Sequence, residues 1–160
     1  MVLLFALLAS QAVTAASSWV DQDVVYIITP EERAAYLTLS SDAARKQFVE
    51  QFWRKRDPNP KANGIEDEHY RRIEYANMNY SSAFHEGWQS DRGRMYILYG
   101  SPDEVESFPP QTERVDRNST RNSLAREVWR YKYIDGLGVR LHLTFVGEWG
   151  EFHLAPGNGR

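Results

Sequence analysis

The sequence contains no cysteine. This absence excludes a disulfide framework, a thiolate metal site, a cysteine nucleophile and a lipid anchor on cysteine. The chain also lacks an HExxH zinc motif, a nucleophile-elbow serine, a phosphate-binding loop and a dinucleotide-binding fingerprint. The stability of the fold must therefore come from packing alone, and no motif identifies a reaction.

A strong excess of charge of either sign is also missing. The formal net charge is −3 over 160 residues, and no basic tract with interleaved aromatic residues is present. We therefore predict no nucleic-acid partner. The length suits about one domain with a substantial core, and an aromatic fraction of 13% favours a core that contains a sheet.

The first residues differ in composition from the rest of the chain. Val2 to Ala9 is a nearly pure apolar run, and small residues follow it up to Ala16. The run is too short for a membrane-spanning helix, which needs about 20 apolar residues, and Val13-Thr14-Ala15 fits a cleavage site. We predict a signal peptide over residues 1–16 and an exported, periplasmic or secreted, domain over 17–160. No lysine or arginine precedes the apolar run, so we expect either a true start further upstream or a weak signal. The alternative to export is a buried N-terminal helix.

Helix-start signals recur in the N-terminal half. Thr29 and Glu32 form a capping box around a proline at the first helical position, and Ser41 precedes an apolar stripe. A third stripe at intervals of three and four residues is interrupted only by Asn77. Before these signals, residues 24–28 indicate a short extended run. We predict helices over residues 30–37, 41–57 and 63–84.

Residues 95–99 form a short apolar run bounded by Gly93 and Gly100. Such a run, between turn signals and without alternating polar residues, predicts a buried central strand. The residues after Gly100 predict a turn that starts a short helix. The polar stretch 107–126 has no periodicity and predicts a long loop.

Apolar and polar residues alternate most clearly near the C-terminus. The alternation predicts two paired strands in which Tyr133 lies opposite Val139, Tyr131 opposite Leu141 and Trp129 opposite Leu143. A turn at Gly147-Glu148 adds a further strand, with Phe152 opposite Leu143. We predict an α+β fold: two or three N-terminal helices pack on one face of a C-terminal antiparallel sheet of about four strands.

Residues 87–94, Gly-Trp-Gln-Ser-Asp-Arg-Gly-Arg, and residues 99–104, Tyr-Gly-Ser-Pro-Asp-Glu, resemble the signature of the GWxTD domain family. Its other segments resemble residues 23–36, 48–53, 56–58, 68–73 and 127–131, together with Phe145. The resemblance implies a bacterial exported protein of unsettled biochemical function, and it carries no established activity. Ser90 stands where the family name has threonine, which keeps a hydroxyl for capping or turn hydrogen bonds.

Charged residues flank the predicted central strand at both ends. They permit a ligand or catalytic cleft with paired carboxylates. They also permit a structural interpretation, in which Asp91 caps a turn, Arg94 pairs with a carboxylate and Asp103 starts a helical turn. We favour the structural interpretation, and we interpret Trp88 as a core anchor rather than a platform for a sugar. The candidate binding residues here are Trp88, Ser90, Asp91, Arg92, Arg94, Asp103 and Glu104.

The polar face of the predicted sheet carries a basic strip. The register places Lys132 opposite Arg140 and Arg130 opposite His142, which adds Arg130 and Arg140 to the candidate binding residues. Like charges opposite each other are unfavourable. Solvent, an acidic partner, or acidic residues of the chain such as Glu104, Glu106 or Glu151 would compensate them. His142 and His153 would also face each other, but two imidazoles are too few to predict a metal site.

The leading hypothesis is an exported, non-catalytic domain that binds a protein or an envelope component, without a cofactor. Contact with a membrane is expected only through an uncleaved signal segment. The alternative is a hydrolase-like or carbohydrate-active enzyme that uses Asp91, Asp103 or Glu104. Geometry separates the two: a carboxylate pair within about 10 Å across one cleft favours the enzyme, and carboxylates bonded to local backbone disfavour it.

Overall fold

The computed structural model describes residues 18–57, 64–117, 119–134, 138, 140–148 and 150–157. The described chain forms two compact units, which divide between Arg71 and Arg72. No described helix is long and apolar enough to cross a membrane. The helices are α1 (Pro30–Leu37), α2 (Asp42–Arg56), α3 (Ile65–Tyr80) and α4 (Asp91–Tyr99), with a π-helical turn at Trp19–Asp23 and a 3₁₀ turn at Gly87–Gln89. The strands are β1 (Glu104–Phe108), β2 (Gln111–Asp116), β3 (Ser119–Ser123), β4 (Ala125–Tyr131), β5 (Leu141–Glu148) and β6 (Glu151–Leu154).

Helices α1 and α2 begin where the sequence predicts. The Thr29 hydroxyl accepts a hydrogen bond from the Glu32 N–H at 3.2 Å, and the Glu32 carboxylate accepts one from the Thr29 N–H at 3.1 Å. The Ser41 hydroxyl accepts from the Ala44 N–H at 3.2 Å. Each contact satisfies a backbone donor that the first turn of a helix leaves unpaired.

The predicted extended run over residues 24–28 is wrong. The chain forms the π-helical turn before it, and the N–H groups of Ile27 and Ile28 both donate to the Val24 carbonyl at 2.9 Å. Val20 and Val24 are fully buried, four residues apart, in one cluster with Phe52. Burial at helical spacing therefore overrides the β-propensity of these residues.

Helix α3 ends four residues before the predicted end at Phe84. The Ser81 hydroxyl donates to the Asn77 carbonyl at 2.6 Å and accepts from the Gly87 N–H at 2.8 Å. These bonds support a reversal of the chain after Tyr80, and Phe84 is 81% exposed. The predicted cap at Asn63 and the predicted helix stop at Pro58 lie outside the described residues.

The predicted central strand is wrong, because residues 95–99 belong to helix α4. The hydroxyl of Ser90 accepts from the Gly93 N–H at 2.9 Å and caps the helix. Gly93 and Ile97, one helical turn apart, are both buried. Periodicity alone does not separate a short buried strand from a short buried helix. The serine cap before the run is the signal that favours the helix.

Two predictions for the following segment are also wrong. Residues 104–108 form strand β1 instead of a helical turn, and the predicted loop 107–126 contains the hairpin of β2 and β3. All described residues of that hairpin are exposed. A ribbon with no buried face leaves no hydrophobic alternation in its sequence, so periodicity cannot predict it.

The main sheet is antiparallel and four-stranded, in the order β1-β4-β5-β6. The predicted pairs Tyr131 with Leu141 and Trp129 with Leu143 are confirmed. Tyr133 lies beyond β4 and is exposed, and its predicted partner Val139 is outside the described residues.

The register predicted for the last hairpin is wrong. Phe152 pairs with Gly147 instead of Leu143, because β5 continues through Glu148 before the chain turns. The slip is an even number of residues, so Phe152 keeps its predicted face. A one-residue slip would have moved it to the other face.

One face of this sheet is covered by helical residues of the same unit. The rings of Tyr80, from α3, and Tyr96, from α4, lie 5.7 and 6.4 Å from the ring of Trp129. The buried core comprises Met95, Trp129, Tyr131, Ile134, Leu141, Leu143 and Phe145. The α+β class and the four-stranded sheet are confirmed, and α4, predicted as a strand, forms part of the helical layer.

Candidate functional site

Two glycines allow the chain around the signature to pack at backbone distance. A Cβ placed on Gly87 would lie 1.9 Å from the carbonyl oxygen of Ala76 in α3. A Cβ placed on Gly93 would lie 1.9 Å from the carbonyl oxygen of Gly87. Neither position has room for a side chain. The 3₁₀ turn is therefore packed directly between α3 and α4.

Polar side chains of the signature bond to the same turn. Ser90 is buried, and its hydroxyl donates to the Gly87 carbonyl at 2.7 Å in addition to capping α4. The N–H of Trp88 donates to the side-chain oxygen of Asn77 at 2.9 Å. This bond accounts for the polar residue that interrupts the apolar stripe of α3. The indole of Trp88 is half-buried.

Asp91 connects the first turn of α4 to strand β6. One carboxylate oxygen accepts from the Leu154 N–H at 2.8 Å, and the other lies 3.3 Å from the guanidinium of Arg94. A carboxylate in the first helical turn also interacts favourably with the helix dipole. Both oxygens of Asp91 thus have partners within the fold.

The guanidinium of Arg92 contacts one carboxylate and two aromatic rings. It is 3.3 Å from the carboxylate of Glu127 and 4.2 and 5.0 Å from the ring centroids of Phe152 and Tyr80. Glu127 also accepts a hydrogen bond from the indole of Trp129. Burial raises the pKa of the Tyr80 hydroxyl. Arg92 therefore joins α4 to the sheet through the ion pair with Glu127 and the cation–π contact with Phe152, and it joins α4 to α3 through the cation–π contact with Tyr80.

Asp103 and Glu104 lie at another part of the sheet. Asp103 accepts from the Lys132 N–H at 2.6 Å, and Glu104 lies 3.1 Å from the Lys132 ammonium. Strands β4 and β6 lie on opposite sides of β5, so they are about 10 Å apart across the sheet. Leu154 of β6 pairs with Phe145 of β5. Tyr131 of β4 pairs with Leu141, which lies four residues before Phe145 in the same strand. The carboxylates of Asp91 and Asp103 are therefore more than about 10 Å apart.

Comparison with known proteins identifies the family. The family model described as the GWxTD domain matches residues 12–152. The chain belongs to the GWxTD domain family. No curated protein and no solved structure matches it. In this GWxTD domain, the described contacts of the signature residues cap α4, fix the 3₁₀ turn and join α4 to the sheet.

The basic strip of the GWxTD domain is contacted by acidic residues of the chain. Strand β1 pairs with β4 and places Glu104 opposite Arg130. The Arg130 guanidinium lies 2.7 Å from the Glu106 carboxylate and 3.9 Å from that of Glu104. The bond from Arg130 lowers the pKa of the Glu106 carboxyl. Arg140 is exposed and has no ion pair among the described residues.

The histidines are not arranged as ligands. His142 pairs with Arg130 and His153 with Val146, so the prediction that the two imidazoles face each other is wrong. The four-residue error in the register of β6 explains the difference. Among the described residues, no group of three histidine, aspartate or glutamate side chains could hold a metal ion.

The structure brings together one cluster that sequence spacing does not predict. His85, in the segment after α3, lies 2.6 Å from the carboxylate of Glu151 in β6. Hydrogen bonds from the Ser82 hydroxyl and from His85 hold the pKa of the Glu151 carboxyl below its ordinary value. His85 and Glu151 are 66 positions apart, and no local pattern could have indicated this contact.

This cluster contains a serine, a histidine and a glutamate, but not in the order of a nucleophilic triad. The second ring nitrogen of His85 lies 3.2 Å from the carbonyl of Glu86. Ser82 bonds to the carboxylate rather than to the imidazole. Activation of a serine requires the imidazole to accept its proton. The contacts instead attach the segment after α3 to the edge strand β6.

Proposed function

We propose that this GWxTD domain is an exported, non-catalytic domain that binds another protein or an envelope component. The proposal rests on the hydrogen bonds that two of the candidate carboxylates accept. Asp91 and Asp103 each accept a short hydrogen bond from a backbone N–H. A carboxylate that acts as general acid or base must instead reach a proton on the substrate.

The enzyme alternative receives less support from the same geometry. A glycosidase-like mechanism needs two carboxylates roughly 5 to 10 Å apart on either side of the scissile bond. Asp91 contacts β6, whereas Asp103 and Glu104 both contact Lys132, the residue after β4. Loss of the part-buried bond between Asp91 and the Leu154 N–H would weaken the fold before it freed a catalytic group.

Export is supported by the sequence. The apolar run Val2 to Ala9 and the small residues that follow it have the composition of a signal peptide. A protein delivered to the envelope meets other envelope proteins and surface polymers. The proposal therefore places the binding partner in that compartment.

The test is a quantitative pull-down. The mature domain, residues 17–160, is immobilised and exposed to the envelope fraction of the cells that produce it. We expect one component to bind saturably and to be displaced by free domain. A matched sample carrying Gly87→Val, which disrupts packing at the signature, controls for adsorption to misfolded protein.

The pull-down can also contradict the proposal. Absence of any saturable component in that fraction would contradict the binding proposal. Hydrolysis of an envelope polysaccharide by the purified domain, abolished by Glu104→Gln, would establish the enzyme alternative instead.

A further inference from the structure

Strand β1 is an exposed edge of the main sheet. It pairs with β4 on one side, and the strand order places no described strand on its other side. All five of its residues are exposed, including the apolar Val105 and Phe108. Such an edge presents unpaired N–H and carbonyl groups along its length, which is a template for another extended chain.

The exposure continues beyond β1. The hairpin of β2 and β3 buries no residue and adds Val115 to the exposed apolar side chains, and Leu124 follows it. A two-stranded ribbon that buries no apolar surface is marginally stable in water. A bound chain alongside β1 would stabilise the base of this ribbon.

The charges on β1 discriminate between possible occupants. Glu104 and Glu106 alternate with Val105, so both carboxylates lie on one face of the sheet. A second copy of the chain paired antiparallel through β1 would bring these carboxylates close to their counterparts, which is unfavourable. A strand with lysine or arginine at the corresponding alternate positions would be attracted. The edge therefore selects against its own copy and favours a basic strand.

The two carboxylates remain accessible despite their contacts with β4. The side chain of Glu104 is 51% exposed and that of Glu106 is 49% exposed. Arg130 contacts both carboxylates from the β4 side, and Lys132, the residue after β4, also contacts Glu104. An incoming strand would approach from the opposite side of β1. Each carboxylate has acceptor capacity for more than one cation.

We propose that the free edge of β1 binds an extended segment of a partner protein that carries lysine or arginine at alternate positions, with an apolar residue between them. The segment adds a fifth strand to the sheet by backbone hydrogen bonds. Its basic residues contact Glu104 and Glu106, and its apolar residue contacts Val105. Pro109 and Pro110 follow β1 and limit the paired length, because proline has no N–H to donate. This inference rests on the proposed binding function and names the class of partner.

The direct test uses a short synthetic peptide in which lysine alternates with valine, and a control peptide with glutamate in place of lysine. Binding to the purified chain is measured by fluorescence anisotropy. Glu104→Gln with Glu106→Gln should weaken binding of the lysine peptide about tenfold, since two charge pairs are lost. The matched variant, Glu113→Gln with Asp116→Asn, changes the net charge equally but lies on β2, and it should bind like the unmodified chain.

Hydrogen exchange supplies a readout that needs no variant. The outward-facing amides of residues 104–108 should exchange more slowly when the lysine peptide is bound. Equal weakening by the β1 and β2 variants, protection at another site, stronger binding of the glutamate peptide, or no binding of the lysine peptide would each overturn the inference. Preference for the glutamate peptide would direct attention to Arg140 instead.

The pull-down separates this inference from the proposed function. An envelope component captured by the unmodified chain and equally by the β1 variant would overturn the edge inference and leave the binding function in place. Loss of capture only in the β1 variant would support both. Failure of the unmodified chain to capture any component would contradict the proposed function, while the peptide experiment still decides the inference.

Discussion

The carboxylate of Asp91 accepts a hydrogen bond from the backbone N–H of Leu154, 63 residues further along the chain. Asp91 stands in the first turn of α4, and Leu154 is in the edge strand β6. This aspartate of the family signature therefore holds a helix against the sheet. In the described structure this bond joins the first turn of α4 to β6.

Asp91→Ala should lower the free energy of unfolding by about 1–3 kcal/mol, because it leaves the half-buried Leu154 N–H without its acceptor. Chemical denaturation measures the loss. Asp103→Ala is the matched control, since it removes a similar bond to the Lys132 N–H at an exposed position where water can replace it. Equal losses in the two variants would contradict this account of Asp91.

Gly87→Ala should destabilise the domain by about 1–3 kcal/mol or more, because the added methyl would overlap the Ala76 carbonyl and force the turn away from α3. Gly64→Ala is the control: a Cβ there meets the Asp57 carboxylate at 3.4 Å, an ordinary contact. Thermal unfolding compares the two. A Gly87→Ala protein as stable as the Gly64→Ala protein would show that the close approach is not required.

Trp129→Ala should cost roughly 3–5 kcal/mol, the range for truncation of a large buried aromatic residue. Trp129 is almost fully buried and contacts Phe145 with ring centroids 4.9 Å apart. Lys132→Ala should change stability little, because its ion pair with Glu104 is exposed. Small and equal losses in chemical denaturation would mean that the faces of β4 are assigned incorrectly.

The ion pair between Glu32 and Arg56 should make stability depend on pH. Two hydrogen bonds from Arg56, at 2.6 and 3.1 Å, lower the pKa of Glu32 below its ordinary value of 4.5. A group with a lowered pKa in the folded state stabilises the fold above its unfolded pKa and loses that contribution as the pH falls through the folded value. Between about pH 5 and 3, the unmodified chain should therefore lose more stability than Glu32→Gln.

The difference between these two proteins isolates Glu32. Burial raises the pKa of Asp23 and Glu66, which act in the opposite direction but are present in both proteins. Melting temperatures over that pH range give the comparison. Parallel curves for the two proteins would contradict a stabilising role for the ionised Glu32.

Export stays a prediction. Residues 1–18 fused to a reporter should carry it across the inner membrane, and terminal sequencing should find a mature N-terminus near Ser17. The control carries charged residues in the apolar run Val2 to Ala9, which should abolish transport. A reporter that remains entirely in the cytoplasm would contradict the prediction.

Local sequence patterns predicted the parts of the fold that are stabilised by contacts between residues close together in the chain. The capping residues Thr29 and Ser41 mark their helices because each cap satisfies backbone donors within three residues. The pairing of Trp129 with Leu143 follows from alternation, because a half-buried sheet allows only one parity of register. The family resemblance was likewise visible in the residues, and the match over 12–152 confirms it.

Other features of the fold were decided only by the tertiary structure, because they depend on contacts between residues that are distant in the chain. Residues 95–99 have the composition of a buried strand, and they form a helix in which Met95 and Tyr96 pack in one cluster with Trp129, more than 30 positions away. The bond of Asp91 to the Leu154 N–H and the contact of His85 with Glu151 join residues 63 and 66 positions apart. No local propensity or periodicity records such contacts, because their energy exists only once the chain has brought the two groups together.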